Sequence, residues 1–422
     1  MSTMQTTPKG FRLHIAILGR RNVGKSSLLN AMTRQQVSIV SEIAGTTTDP
    51  VEKPMELLPL GPVLFIDTAG IDDVGALGTQ RVASTRRVLD RTEVALIVAA
   101  AGHWGDFEEG LLAELHGRGI PTIAVFNKAD LGRPAAALLQ TLTERQVPCV
   151  AMSASRGEGI LELREALLKV VPGDFLTPPS LLADLVPPGE LAVLVVPIDK
   201  EAPKGRLILP QVQSIRDLLD HQAACLVVTD AGLPEALARL RTPPALVVTD
   251  SQAFERVSAD TPPAVPMTSF SILFARFKGD LTEFARGAAA IAGLRPGDRV
   301  LVAEACSHHP VEDDIGRVKI PRWLQQHVGG APECCQVQGH DLPDDLTPFR
   351  LVVHCGSCVS NRSEVLSRLL RCRSQGVPVT NYGMAIAASL GILDRALRPF
   401  PAALAAYHES LAEAAPAMAA GS

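Results

Sequence analysis

The chain has 422 residues, of which 46% are hydrophobic, 20% charged and 4% aromatic, with a formal net charge of −5. That length exceeds one ordinary core and implies two or three domains, while a slightly acidic balance without a basic stripe argues against general nucleic-acid binding. The eight cysteines follow no leader-like segment, so they read as reduced cytoplasmic thiols free for metal, and no apolar run approaches the roughly 18 residues of a membrane span.

Residues 11 to about 172 alternate apolar strands with helical stretches, the pattern of a doubly wound, mostly parallel α/β sheet. The strand LHIAIL runs into GRRNVGKSS, Gly19 to Ser27, and then into the helix KSSLLNAM. This is G-x-x-x-x-G-K-[ST] in the strand–loop–helix setting that gives it meaning. Backbone N–H groups from Gly19 through Asn22, Val23, Gly24 and Ser27 are expected around the phosphates, with Lys25 on the β- and γ-phosphates and the Ser26 hydroxyl on Mg²⁺.

In AGTTTD, one of Thr46, Thr47 and Thr48 is expected on Mg²⁺, and register does not say which. LFIDTAG closes a strand with Asp67, suited to the Mg²⁺ shell, and Gly70, whose N–H can face the γ-phosphate. Ile71 stands where Ras-like enzymes orient water with glutamine, so hydrolysis needs another source of charge neutralisation. FNKAD places Asn127, Lys128 and Asp130 after a later strand, and MSASRGEG adds Ser153 and Ala154. A carboxylate at Asp130 can accept from guanine N1–H and N2–H₂, a pair that adenine lacks. The expected cofactors of residues 1–173 are therefore GTP or GDP and Mg²⁺, and the expected reaction is GTP hydrolysis.

A proline-rich stretch, VPGDFLTPPSLLADLVPPGE, marks a domain boundary. Beyond it LAVLVVPI reads as a strand, and ACLVVTDAGLPEALARL and PALVVTDSQAFERVSAD as two units of a buried strand followed by a helix. This gives a small α/β domain over 180–262. From 265 to 410 a long helix, ILFARFKGDLTEFARGAAAIAGL, precedes the strands RVLVAEA, FRLVVH and VPVTNYG, and the helix RSEVLSRLLRCRSQG lies between the last two. A terminal amphipathic helix, PAALAAYHESLAEAAPAMAA, ends the pattern.

Chemistry concentrates just past the first two of those strands, in EACSHHP and HCGSC, where open α/β sheets place their sites. Cys306, His308, His354, Cys355 and Cys358 form C-x-H…H-C-x-x-C. Three thiolates with a histidine describe a closed tetrahedral Zn²⁺ site. They equally describe an iron–sulfur cluster with one non-cysteine ligand. Spacing leaves both open. Glu304 and Asp314 read as solvent-facing, and Cys149, Cys225 and Cys372 as core thiols.

The order G-x-x-N-x-G-K-S, AGTTTD, DTAGI resembles the TrmE–Era group of GTPases, which implies that Asn22 helps bind K⁺ and that hydrolysis is K⁺-stimulated. With CSH…HCGSC and the following NYG, the whole chain is similar to the HydF family of [FeFe]-hydrogenase maturation GTPases. That resemblance implies a [4Fe–4S] cluster on Cys306, Cys355 and Cys358, with His308, His354 or Asp313 as fourth ligand, and a homodimer formed through 180–262. It also implies a scaffold role: a transient diiron precursor of the H-cluster, made with radical-SAM maturases, is carried to apo-[FeFe]-hydrogenase. A zinc-stapled Era-like GTPase acting on RNA or the ribosome is the alternative reading.

Overall fold

The computed structural model describes residues 7–34, 50–58, 60–68, 86–100, 103–176, 179–198, 207–305, 314–340 and 342–419. It forms two compact units, residues 1–178 and 179–422.

The first unit is built on a six-stranded sheet of order β2-β3-β1-β4-β5-β6. Its strands are β1 Leu13–Leu18, β2 Val51–Leu57, β3 Gly61–Asp67, β4 Val94–Ala100, β5 Thr122–Asn127 and β6 Cys149–Ala151. All pairings are parallel except β2 with β3. Pro54 lies in β2 at the sheet edge, where a missing N–H costs little. All six residues of β1 are buried, which explains a continuous apolar run where a half-exposed strand would alternate. Ile15 and Ile17 enter one core cluster, and Ala16 and Leu18 a second. The sheet is therefore covered on both faces. The chain passes from β3 to β4 across β1, so the carboxyl end of β1 is a topological switch point.

The second unit carries two four-stranded parallel sheets, β10-β9-β7-β8 and β12-β11-β13-β14. The first comprises β7 Leu191–Val195, β8 Ala224–Val228, β9 Leu246–Thr249 and β10 Met267–Ser269. Two sequence readings change here. The strand β8 is an edge, half-exposed with Val227 at 42%, and not a buried strand as its composition suggested. The sheet also takes its last strand from 267–269, beyond residue 262.

The other sheet comprises β11 Arg299–Glu304, β12 Glu333–Gln338, β13 Leu351–His354 and β14 Val379–Asn381. The edge strand β12, ECCQVQ, carries too little hydrophobic pattern to be read from the sequence. The expected long helix is two, Phe270–Lys278 and Leu281–Ala289. Asp280 ends the continuity, its side chain accepting from Thr282 N at 2.9 Å and Glu283 N at 3.1 Å as an N-cap.

The two later sheets pack into one compact unit. Polar ties explain this: Asn381 Nδ2, at the end of β14, donates to the Ser271 carbonyl at 2.9 Å. Arg395 donates to the carbonyls of Ser258 and Thr261 at 2.6 Å each. The terminal helix Pro401–Ala419 lies against Leu281–Ala289. Among the described residues no helix is long and apolar enough to cross a membrane.

Candidate functional site

The nucleotide loop follows β1 and gives way to the helix Lys25–Arg34 at Lys25. Asn22 sits at φ 60° and Gly24 at φ 96°. A Cβ on Gly24 would lie 2.3 Å from Asn127 Nδ2, so only glycine fits. That closeness is functional in shape: Asn127 Nδ2 donates to the Val23 carbonyl at 2.9 Å, and its Oδ1 accepts from Ala154 N at 3.1 Å. Lys128 Nζ donates to the Asn22 carbonyl at 2.7 Å. Val23 itself is a core side chain, so what it offers the site is backbone. The base-reading loops are thereby laced to the phosphate loop.

Lys25, 7% exposed, donates to the carbonyls of Gly19 and Arg20 at 2.8 Å each. Ser26 Oγ donates to Asp67 Oδ2 at 2.8 Å, uniting the hydroxyl and carboxylate suited to Mg²⁺. Burial pushes the Asp67 carboxyl up, opposed by Ser26 and Lys25. Asp130 accepts from Ser153 Oγ at 2.7 Å, and this hydrogen bond is the main reason its carboxyl lies below the usual range. An ionised Asp130 is the form that accepts two guanine donors. One residue escaped the sequence reading. Glu108, 2% exposed, receives Arg20 Nε at 2.8 Å and Nη2 at 3.2 Å, fixing the second position of the loop. Its only sequence signal is an acidic residue in a helix's first turn. Thr46, Thr47, Thr48, Gly70 and Ile71 lie outside the described residues.

The cysteine loop leaves β13 at His354. Cys355 N donates to the Ala303 carbonyl at 2.9 Å, carrying the ladder with β11 one residue further. Cys355 Sγ accepts from Ala305 N at 3.1 Å and Ser357 N at 3.4 Å. Ala305 precedes Cys306 in the chain. Cys306, His308, His309 and Asp313 lie outside the described residues, and among those described no three metal-ligating side chains gather. Burial, and then the neighbouring Cys355, pushes the Cys358 thiol up, against the pull of Lys278.

The imidazole of His354, 2% exposed, is engaged at both nitrogens. Arg368 Nη1 lies 2.9 Å from Nε2, and a guanidinium only donates, so Nε2 accepts. The proton then sits on Nδ1, facing the Cys355 carbonyl at 2.9 Å and Ser357 Oγ at 3.0 Å. In this tautomer His354 braces the loop and has no lone pair to offer a metal. Glu364, buried with Arg368, accepts from it at 3.1 Å and meets His340 Nδ1 at 2.7 Å. Burial alone would raise the Glu364 carboxyl, yet His340, Arg368 and Ser360 hold it at about 2.

Lys278 was likewise invisible in the sequence. It is 2% exposed, and its ammonium donates to the carbonyls of Ser357 at 2.9 Å, Cys358 at 3.0 Å and Ser360 at 2.6 Å. Glu304 is buried, not solvent-facing: Gln338 Nε2 donates to it at 2.9 Å, and burial raises its carboxyl.

Comparison with known proteins bears on both loops. Residues 14–128 match the model of the 50S ribosome-binding GTPase family. Residues 181–279 match the hydrogen maturase F dimerization domain, and 282–399 its tetramerization domain. The chain belongs to the hydrogen maturase F family. The matches divide the chain into a GTPase domain followed by segments whose family models are described as a dimerization and a tetramerization domain.

Curated relatives cover the GTPase part. The tRNA modification GTPase MnmE of Desulfotalea psychrophila is 39% identical over 169 residues, 38% of this chain and 35% of that protein. MnmE of Synechococcus sp. (strain JA-3-3Ab) is 40% identical over 164 residues, 37% of this chain and 33% of that protein. The chain spans about a third of the length of these relatives. Among solved structures, Aquifex aeolicus Era is 23% identical at a TM-score of 0.33, covering 59% of this chain and 99% of that one. The G domain of T. maritima FeoB is 22% identical at 0.30, covering 38% and 98%.

Proposed function

We propose that this hydrogen maturase F member is a GTP-driven scaffold that holds a [4Fe–4S] cluster on Cys306, Cys355 and Cys358. Its cargo would be the diiron precursor of the H-cluster, received with the help of radical-SAM maturases and delivered to apo-[FeFe]-hydrogenase in the cytoplasm. Three thiolates leave one iron for an exchangeable ligand, which suits transient docking of cargo. With His354 spent on the loop, His308 and Asp313 are the protein candidates for that position. A homodimer through the middle sheet, and K⁺ held by Asn22 in the role of an arginine finger, complete the proposal.

One observation carries the reading: Cys355 Sγ accepts two backbone N–H groups, one of them from Ala305, immediately before Cys306. Such N–H···S contacts stabilise thiolate ligands and tune the metal they hold. When bound, the cluster would supply a Lewis-acidic iron. The chain's own part is to hold and orient thiolates and to exclude competing ligands.

The decisive experiment is anaerobic purification with iron, sulfide and zinc analysis, followed by EPR of the dithionite-reduced protein. Near-stoichiometric iron and sulfide, with a [4Fe–4S]⁺ signal lost in Cys355→Ser at unchanged GTP turnover, is the expected result. Tightly bound zinc with no cluster after reconstitution would sink it and leave an RNA-directed, zinc-stapled GTPase to be tested by salt-dependent RNA binding.

A further inference from the structure

Lys278 ends the helix Phe270–Lys278, which starts one residue after β10 of the middle sheet. Its ammonium reaches the cysteine loop 79 to 82 positions later and ties three of its carbonyls together. Two of those carbonyls, Ser357 and Cys358, belong to HCGSC itself. Ser357 stands at φ 53°, a left-handed conformation unfavourable for a residue with a Cβ, so something must hold the turn in place. The nearby Phe274 ring, 5.4 Å from Nζ, lies one helical turn earlier and adds a cation–π contact.

Lys278 does two things at once. It fixes the direction of the backbone that carries Cys355 and Cys358. It also places a buried positive charge against the loop that carries both cysteines, in a medium where charges are weakly screened. The helix N-cap, Ser269, is the last residue of β10 and accepts from Ile272 N at 3.2 Å. The lysine is thus rigidly continuous with the middle sheet.

We propose that Lys278 is the positioning and charge-tuning residue of the cysteine loop, raising the reduction potential of the iron–sulfur centre and linking that loop to the middle sheet. The inference rests on the cluster reading above. Its physical basis is general: reduction adds negative charge to a cluster, and a nearby fixed cation stabilises the reduced form.

The test uses the full chain, purified anaerobically and loaded with iron and sulfide. Circular dichroism checks folding, and EPR-monitored redox titration reads the potential. Lys278→Gln keeps hydrogen-bond donors but loses the charge, and is expected to shift the potential to more negative values and to lose iron faster on desalting. Lys278→Arg keeps the charge and is expected to restore both. A folded Lys278→Gln with the parent's potential and iron retention overturns the proposal. If the glutamine variant does not fold, the arginine variant decides: a parent-like potential upholds the charge argument, and a downward shift overturns it. Failure of the parent chain itself to bind iron would instead refute the cluster reading, and this inference with it.

Discussion

The nucleotide loop and the cysteine loop both leave the carboxyl ends of parallel strands and are both braced by side-chain donors, but by different means. Around the nucleotide loop the braces come from the motifs themselves. Asn127, Lys128 and Lys25 all spend side-chain donors on carbonyls between Gly19 and Gly24. Around the cysteine loop the braces come from outside the motif. Lys278 holds three carbonyls, and Arg368, itself held by Glu364, holds His354. Both loops are braced from afar, 104 and 106 positions away for Asn127 and Lys128, but those two belong to a motif that the sequence announces, whereas Lys278 and Arg368 belong to none.

The comparison can be broken most directly at Lys25. Lys25→Ala removes the charge proposed to reach the phosphates, and its expected effect is a roughly 10²–10³-fold loss of GTP turnover. Iron content should stay at the parent's level if the two loops are independent in support. Loss of iron in this variant, measured by the same anaerobic analysis, would show that they are not.

Arg368→Met acts on the other loop. Removing Arg368 strips the buried Glu364 of one partner, with His340 left at 2.7 Å, and takes the donor from His354 Nε2, and the expected loss is about 2–3 kcal/mol in urea unfolding of the apo protein. GTP turnover at temperatures where the variant is folded should not change. A loss below about 1 kcal/mol would mean that this network is not what holds the loop.

Acid sharpens the same point. Glu364 is held at about 2, below its ordinary 4.5, so its folded form favours ionisation. That contribution is fully present above pH 4.5 and is lost as pH falls from 4.5 toward 2. Urea midpoints of the parent and Glu364→Gln, followed across that window, should therefore converge as the pH drops. Parallel curves would show that the carboxylate is not stabilised in place.

The smallest expected effect belongs to Asn22→Ala. Hydrolysis in K⁺ should fall to the rate in Na⁺, a change of about tenfold, with GTP binding intact, because a monovalent cation supplies only part of the transition-state neutralisation that an arginine finger gives. Equal parent rates in K⁺ and Na⁺ would remove the role given to Asn22.

Legibility followed the same division. Strands β1, β7, β9, β11 and β13 stood out as apolar runs because parallel strands buried on both faces need little polar alternation. The phosphate loop could be read residue by residue, since backbone wrapping demands glycine at fixed spacing. The edge strands β8 and β12 were harder. Half-exposed edges blur composition, so one was taken as buried and the other was missed. The single long helix was a failure of punctuation: Lys-Gly-Asp at 278–280 is a helix stop followed by a cap, and the apolar period continues across it.

By itself the sequence determined the α/β class, the GTPase motifs and the two cysteine-bearing segments at strand ends, because each depends on residues close together in the chain. Only the tertiary structure decided that His354 braces the loop through both ring nitrogens, that Glu304 is buried, and that Lys278 holds the loop's carbonyls while Arg368 holds His354. Those roles follow from the energetics of burial: a charge withdrawn from water must find its partners wherever the fold brings them, 79 residues away in the case of Lys278, and no local pattern records that requirement.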